Sequence, residues 1–456
     1  MAAQNYFFIG IGGIGMSALA RYFLLSGCKV GGYDRVRTPI TIALEELGGE
    51  IIYEDDDRLI PESYRTPGDV RVVFTPAIHE DNHLRQYYIR AGIREWKRSE
   101  VLGEISRMHR ALCVAGTHGK TTTSTLLAHL LESSHIGANA FLGGVSLNFG
   151  SNLLVDEKSP YVVVEADEYD RSFHRLSPFA SIITANRPDH LDIYGTEEAF
   201  HEAFRIFAGM TSKEGRLIIH EAVSELPAPE GILTETYGVS SSCDYYYSNL
   251  RYEEGELFFD WHFDGGAGVF ERMQIGTPIE INVMNATAAI ALAYRLGVTE
   301  AELREGLRTF RGAHRRFERT KLPNGRVVID DYAHHPDEIR ASLSSIRDLY
   351  PERRITVVFQ PHLYSRTRDF LGDFGEALSI ADEVVLIPIY PAREEPIPGI
   401  TSEAILPYIS HQAKYLSTKE SLPNDLVRIN PDVLVMMGAG DIEFEVPKAI
   451  EVLKRK

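Results

Sequence analysis

Cysteine is scarce. The 456-residue chain has three, Cys28, Cys113 and Cys243, odd in number and far apart. Neither a disulfide framework nor a zinc knuckle is implied, and three reduced thiols in a cytosolic protein are expected. Long apolar runs are missing too. The longest candidate, residues 7–20, covers 14 positions and includes four glycines, short of the ~20 residues of a membrane span. No basic residue precedes it, so it does not read as a signal peptide. Basic residues are outnumbered 47 to 65, for a net charge of −18. That argues against a general nucleic-acid or anionic-membrane binder, although a local basic pocket is compatible with it. What is present is ordinary for a globular chain, 44% hydrophobic and 25% charged, with length for roughly three domains.

Three α/β segments follow from the patterning. Tyr6-Phe7-Phe8-Ile9 is a β-type run, followed by Gly10-Ile11-Gly12-Gly13-Ile14-Gly15, a helical stretch, and a second strand ending at Asp34. This is a βαβ unit with an acid about 20 residues after the glycines. The first domain is expected over 1–106. A second, over 107–309, starts with the strand 111–115, a glycine loop and a helix from Thr121 to about Glu132. Apolar runs at 161–165 and 181–184 suit a buried parallel sheet. Within it, 213–280 reads as a β-rich excursion, with short antiparallel strands around Tyr245–Tyr247 and Leu257–Phe259 and a turn at Asp264-Gly265-Gly266; a helix runs from Asn285 to Leu296. The third domain, 310–456, carries strands at 327–330, 355–359, 383–387 and 433–437 separated by helices.

Each motif has two readings. Gly10-x-Gly12-x-x-Gly15 opens a helix after a strand, so its backbone can approach a pyrophosphate, and Asp34 can accept from a ribose hydroxyl; the alternative is a tight structural turn. Gly116-Thr117-His118-Gly119-Lys120-Thr121-Thr122 joins a strand to a helix as a shortened phosphate loop. Lys120 would neutralise β/γ oxygens and Thr121 would meet Mg²⁺; the alternative is a glycine turn with a solvated lysine. Glu165 and His190 follow two apolar strands and suit a divalent metal beside the phosphates, or else are surface charges. Arg315-Arg316, Asp330-Asp331-Tyr332-Ala333-His334-His335 and Gln360-Pro361-His362-Leu363-Tyr364-Ser365-Arg366 gather cations and imidazoles at strand ends, as a carboxylate or phosphoryl clamp or as a solvated rim.

Taken together, these residues resemble the Mur ligase family of peptidoglycan synthesis. The resemblance covers nearly the whole chain and rests on Gly10–Ser17, Ala115–Thr123, Glu165–Glu168, Pro188–Asp192, Asn282-x-x-Asn285-Ala286, Arg315–Phe317, Asp331–Pro336 and Phe359–His362. It implies three α/β domains: a Rossmann-like domain for a UDP-linked substrate, a central P-loop ATPase domain with a mostly parallel sheet, and a Rossmann-like C-terminal domain that binds an amino acid and closes over ATP. The implied reaction is ATP- and Mg²⁺-dependent amide formation between L-alanine and UDP-N-acetylmuramate through an acyl phosphate, in the cytoplasm of a peptidoglycan-making bacterium, by a monomer or homodimer. A ligase adding a whole tripeptide in cell-wall recycling is the alternative within the family. A nicotinamide-dependent oxidoreductase would leave the phosphate loop, Glu165 and His190 unexplained; a non-catalytic nucleotide-binding regulator is the remaining alternative.

By resemblance, Gly10, Gly12, Gly13, Gly15, Met16, Ser17 and Asp34 bind the UDP substrate. Gly116, Thr117, His118, Gly119, Lys120, Thr121, Thr122, Asn282, Asn285, Arg316 and Asp331 bind ATP, and Thr121, Glu165 and His190 hold metal. Tyr332, His334, His362 and Arg366 take the amino acid. Lys120, Glu165, His190, Arg316 and His334 carry the catalysis. Two positions depart from the family pattern: Ile281 where a histidine precedes the adenine-side asparagine, and Leu363 where an arginine commonly follows the histidine. No lysine lies between His190 and Lys213, so the carbamylated lysine of some sibling ligases is not expected.

Overall fold

The computed structural model describes residues 5–75, 78–188, 191–223, 225–392 and 394–455. His190, the expected metal ligand, lies outside them. The chain divides into two compact units: Met1–Asn249, Phe259–Gln274 and Met284–Phe310 in one, and Leu250–Phe258, Ile275–Val283 and Arg311–Lys456 in the other.

The first unit starts with a five-stranded parallel sheet ordered Glu50–Ile52, Val30–Tyr33, Asn5–Ile9, Val70–Phe74, Glu95–Lys97. From Tyr6 to Ile9 its central strand is buried and largely apolar because both faces are covered. Tyr6 and Phe8 pack with Met16, Leu19 and Phe23 on one side, and Phe7 and Ile9 with Tyr64 and Tyr88 on the other. The helix Ile14–Leu25 follows directly. It also meets the next sheet, where Tyr22 packs against Phe141 and Asn152 Nδ2 donates to the Ile14 carbonyl at 2.6 Å.

That next sheet has ten strands. Its parallel core runs Thr234–Gly238, Leu217–His220, Pro178–Ile183, Arg110–Ala115, Tyr161–Ala166 and Asn139–Ser146, with Ser151–Leu154 antiparallel at one edge. The helix Lys120–Glu132 contains four threonines, poor helix formers, yet buries every residue from Thr123 to Leu131. Tertiary packing carries it. The expected β-rich excursion exists but is not simply antiparallel. Leu217–His220 and Thr234–Gly238 extend the parallel core, and Tyr245–Glu253 joins in parallel before Glu256–Phe263 and Gly268–Ile275 complete the sheet. The helix expected from Asn285 begins earlier, at Glu280, and ends at Arg295.

The second unit holds a six-stranded sheet ordered Glu318–Lys321, Val327–Asp331, Val433–Met437, Ile355–Phe359, Glu383–Leu386, Lys414–Leu416, parallel except for the first strand. The helix Pro336–Leu349 starts with proline inside a capping box made by His335 and Glu338. It lays Ile339, Leu343 and Ile346 on Val357 and Phe359. In both units the chemistry-bearing loops leave the carboxyl ends of parallel strands, where open α/β sheets bind ligands.

Candidate active site

In the first unit, the loop after Arg110–Ala115 turns into the helix beginning at Lys120. Thr117 N–H donates to the Ala185 carbonyl at 3.1 Å, and Thr184 Oγ1 donates to the His118 carbonyl, so the neighbouring strand end fixes the loop. His118 itself is exposed and Thr122 half-buried. Thr123 Oγ1 donates to Asn285 Oδ1 at 3.3 Å, which brings Asn285 against the first turn of the helix that follows the loop. The Thr117 hydroxyl is buried and has no hydrogen-bond partner among the described residues, an exception to the usual pairing of buried polar groups.

Lys120 Nζ donates to the Gly116 carbonyl at 2.6 Å and lies 2.8 Å from Glu168 Oε2. Burial opposes its charge, but Glu168 and Glu165 outweigh that, and its pKa is raised. Lys120 is therefore a cation at neutral pH. Thr121 Oγ1 donates to Glu165 Oε1 at 3.1 Å, and Gly143 N–H to Glu165 Oε2 at the same distance. A Cβ at Gly143 would run into the Glu165 carboxylate. One carboxylate and one hydroxyl thus converge beside the lysine, a hard-oxygen donor pair suited to Mg²⁺. Glu168 was not singled out as a site residue, although it ends the acidic run Glu165–Glu168.

The glycine loop is ordered by Asp34, whose Oδ2 accepts the Gly12 N–H at 2.8 Å. That carboxylate oxygen holds the loop; among the described residues Oδ1 accepts only from Val36 N–H, at 3.3 Å. Gly13 N–H bonds to the Gly10 carbonyl and Ser17 N–H to the Gly13 carbonyl. Gly13, Gly15 and Met16 line a cavity of about 340 Å³ that also touches Arg98, Phe141, Glu165 and Asp167. Ser17 is buried, with its hydroxyl on the Ile14 carbonyl.

In the second unit the two adjacent arginines separate cleanly. Arg315 is 5% exposed; it pairs with Asp330 at 3.3 Å and donates to the Gly438 and Gly440 carbonyls. Arg316 is half-buried, with its guanidinium 5.0 Å from the Tyr332 ring centroid. Asp331 is buried; its carboxylate accepts from Ser342 Oγ at 2.5 Å and Ala333 N–H at 3.2 Å, and burial raises its pKa. Tyr332, His334 and His362 form a chain of edge-on rings at 5.4 and 5.9 Å, and Tyr390 stacks on His362 at 5.7 Å. Burial, then His334 and Arg366, push the His362 imidazole down to about 4, so it is neutral at physiological pH. His334 is lowered as well, chiefly by burial. Among the described residues His362 Nδ1 and Arg366 Nη1, both buried, have no hydrogen-bond partner. Leu363 adopts φ +71° ahead of the helix Tyr364–Asp369. Asn282 is buried, and Ile281 beside it is 45% exposed.

Family models match in sequence order: "Mur ligase family, catalytic domain" over residues 5–110, "Mur ligase middle domain" over 114–293, and "Mur ligase, glutamate ligase domain" over 315–440. The UDP-N-acetylmuramate–L-alanine ligase of Phocaeicola vulgatus is 48% identical over 456 residues, 99% of each chain. That of Porphyromonas gingivalis is 50% identical over 444 residues, 96% of this chain and 97% of the relative. The chain belongs to the Mur ligase family. A crystal structure of UDP-N-acetylmuramate–alanine ligase from Thermotoga maritima superposes with a TM-score of 0.83 at 29% identity, covering 98% of each chain. A murein peptide ligase from Psychrobacter arcticus shares the fold with a TM-score of 0.67 at 23% identity, covering 99% of each chain. The three sheets are those of the three-domain α/β Mur ligase fold.

Proposed function

We propose that this chain is an ATP-dependent ligase that joins L-alanine to the carboxylate of UDP-N-acetylmuramate in peptidoglycan precursor synthesis. The observation that carries this reading is the near-full-length identity of 48–50% to relatives named for that reaction. The tripeptide-adding alternative has weaker support, since the murein peptide ligase neighbour is 23% identical.

In this reading residues 1–106 bind the UDP substrate, 107–309 bind ATP and 310–456 bind the amino acid. Gly116–Thr122 cradle the ATP phosphates, with Asn282 and Asn285 on the adenine side. Lys120 screens the repulsion between the attacking carboxylate and the γ-phosphate. The carboxylate oxygen bonds to the γ-phosphorus, ADP leaves, and an acyl phosphate forms. The alanine amine, having lost its proton, attacks the acyl carbon, and phosphate leaves. Mg²⁺, held by Thr121, Glu165 and His190, supplies Lewis-acid stabilisation of the phosphoryl oxygens. Glu165 fits that role because Thr121 and Gly143 fix both its oxygens. Arg316, Asp331 and His334 serve the ATP and alanine side. His362 and Arg366 receive the alanine carboxylate, which would satisfy their unpartnered buried nitrogens. No helix among the described residues is long and apolar enough to cross a membrane, and a cytoplasmic monomer or homodimer is the reading adopted. Phosphate release measured with ATP, Mg²⁺ and UDP-N-acetylmuramate should depend on L-alanine; release driven by the tripeptide and not by alanine would replace this function with the recycling one.

A further inference from the structure

We infer that Arg98, a residue outside every motif above, holds the diphosphate of the UDP-linked substrate and gives up Asp167 to do so. The inference rests on the proposed function and names a further substrate contact for it. Arg98 is the first residue of the helix Arg98–Met108. The residue before it is held twice: Glu100 Oε2 accepts the Lys97 N–H at 2.9 Å, and Lys97 Nζ pairs with Asp170 at 2.8 Å. The side chain then lies across the start of the helix Ile14–Leu25, so close that a Cβ at Gly15 would collide with the guanidinium.

Three observations point to an anion in this space. First, Gly13 caps the Ile14–Leu25 helix without a side-chain bond, and its first turn holds no acid. The leading amides therefore have no intrahelical partner, and the nearby Asp34 carboxylate is already engaged by the Gly12 N–H. Second, the lining of the 340 Å³ cavity is the glycine loop, an apolar wall including Phe141 and Leu142, the carboxylates Glu165 and Asp167, and Arg98. Among the described residues Arg98 is its one cation, so an anionic substrate must find it. Third, the partner of Arg98 is weakly held: Nη2 lies 3.6 Å from Asp167 Oδ2, beyond hydrogen-bond length. Arg85, by contrast, grips Glu95 through two bonds of 2.9 and 3.0 Å. A guanidinium meeting a diphosphate bidentately is the stronger arrangement. Arg98 touches Gly15 beside the glycine loop, while Glu165 is bonded to Thr121, on the side where phosphoryl transfer is assigned. That places the diphosphate, and not the reacting muramate carboxylate, against Arg98.

Calorimetric titration of the full chain without ATP tests this, using UDP-N-acetylmuramate and UDP-N-acetylglucosamine, which share the diphosphate but differ in the carboxylate. Arg98→Gln should weaken both by the same factor, roughly 10–100-fold for a charge-assisted bidentate contact. Arg98→Lys should recover part of the loss. Asp167→Asn should bind both at least as tightly as wild type, because the competitor is gone. Loss confined to UDP-N-acetylmuramate would move Arg98 to the carboxylate and overturn the inference, as would unchanged binding in a folded Arg98→Gln. If Arg98→Gln fails to fold, Arg98→Lys decides: an equal partial loss for both sugars, deepened by raising the salt concentration, supports the diphosphate contact, and wild-type, salt-independent binding overturns it. A wild-type chain that binds neither UDP sugar would overturn the proposed function itself.

Discussion

Lys120 and Glu168 form a buried ion pair, Nζ 2.8 Å from Oε2, with Glu168 only 2% exposed. The lysine assigned to the ATP phosphates is thus also the counter-charge of a carboxylate that has almost no access to water.

Lys120→Ala should therefore abolish turnover and also lower stability. Breaking a buried pair by removing one partner costs about 3–5 kcal/mol. The stranded Glu168 carboxyl is pushed up by burial, so the folded state holds its proton more tightly than the unfolded state. The variant's stability should recover as pH falls and worsen as it rises. Adding Glu168→Gln should restore the melting temperature without restoring phosphate release. An equal loss of melting temperature in the single and double variants would contradict the pairing.

Gly143→Ala tests the metal side without removing a ligand. The new methyl must displace the Glu165 carboxylate, so kcat should fall and the Mg²⁺ concentration for half-maximal rate should rise, as in Glu165→Ala. The Lewis-acid contribution at stake is several kcal/mol. Mg²⁺ titrations unchanged in both variants would return Glu165 to a structural role.

The adjacent arginines should fail differently. Arg315→Ala strands Asp330 and two carbonyls in the interior and should destabilise by about 3–5 kcal/mol. Arg316→Ala should keep its melting temperature and lose ATP turnover. Denaturation curves beside ATP kinetics for both variants separate the roles; matching stability losses would erase the distinction.

Arg366→Ala should raise the KM for alanine far more than that for ATP, and alaninamide should be a poor substrate. With the His362 imidazole pushed down to about 4, its titration should not appear in the alanine KM between about pH 5.5 and 8. Its depressed folded pKa adds stability above the unfolded value near 6.5, lost as pH falls through about 4. An imidazole-like inflection near pH 6.5 that disappears in His362→Ala would contradict a neutral ring.

The three sheets were legible because their central strands are apolar on both faces, as in Val162–Val164 or Val433–Met437. The edge strands Glu318–Lys321 and Lys414–Leu416 were not: they are short, and their burial is only partial. The glycine turn Gly116–Thr122 between strand and helix was legible from spacing alone, whereas Glu168, Gly143 and Arg98 meet Lys120, Glu165 and Gly15 across 22 to 83 positions of sequence. Nor does sequence distinguish Arg315 from Arg316, which differ in where a backbone kink sends each side chain; Arg315 itself has φ +58°.

The Asp34–Gly12 bond has a calorimetric consequence. Because Oδ2 already accepts the Gly12 amide, the loop 10–13 is shaped by the protein's own carboxylate. Nucleotide-sugar binding at this loop should then show a heat-capacity change set by the surface the ligand covers, with no added component from loop ordering. Asp34→Ala, by freeing the loop, should make that change more negative and the entropy of binding less favourable, even where the affinity falls only modestly.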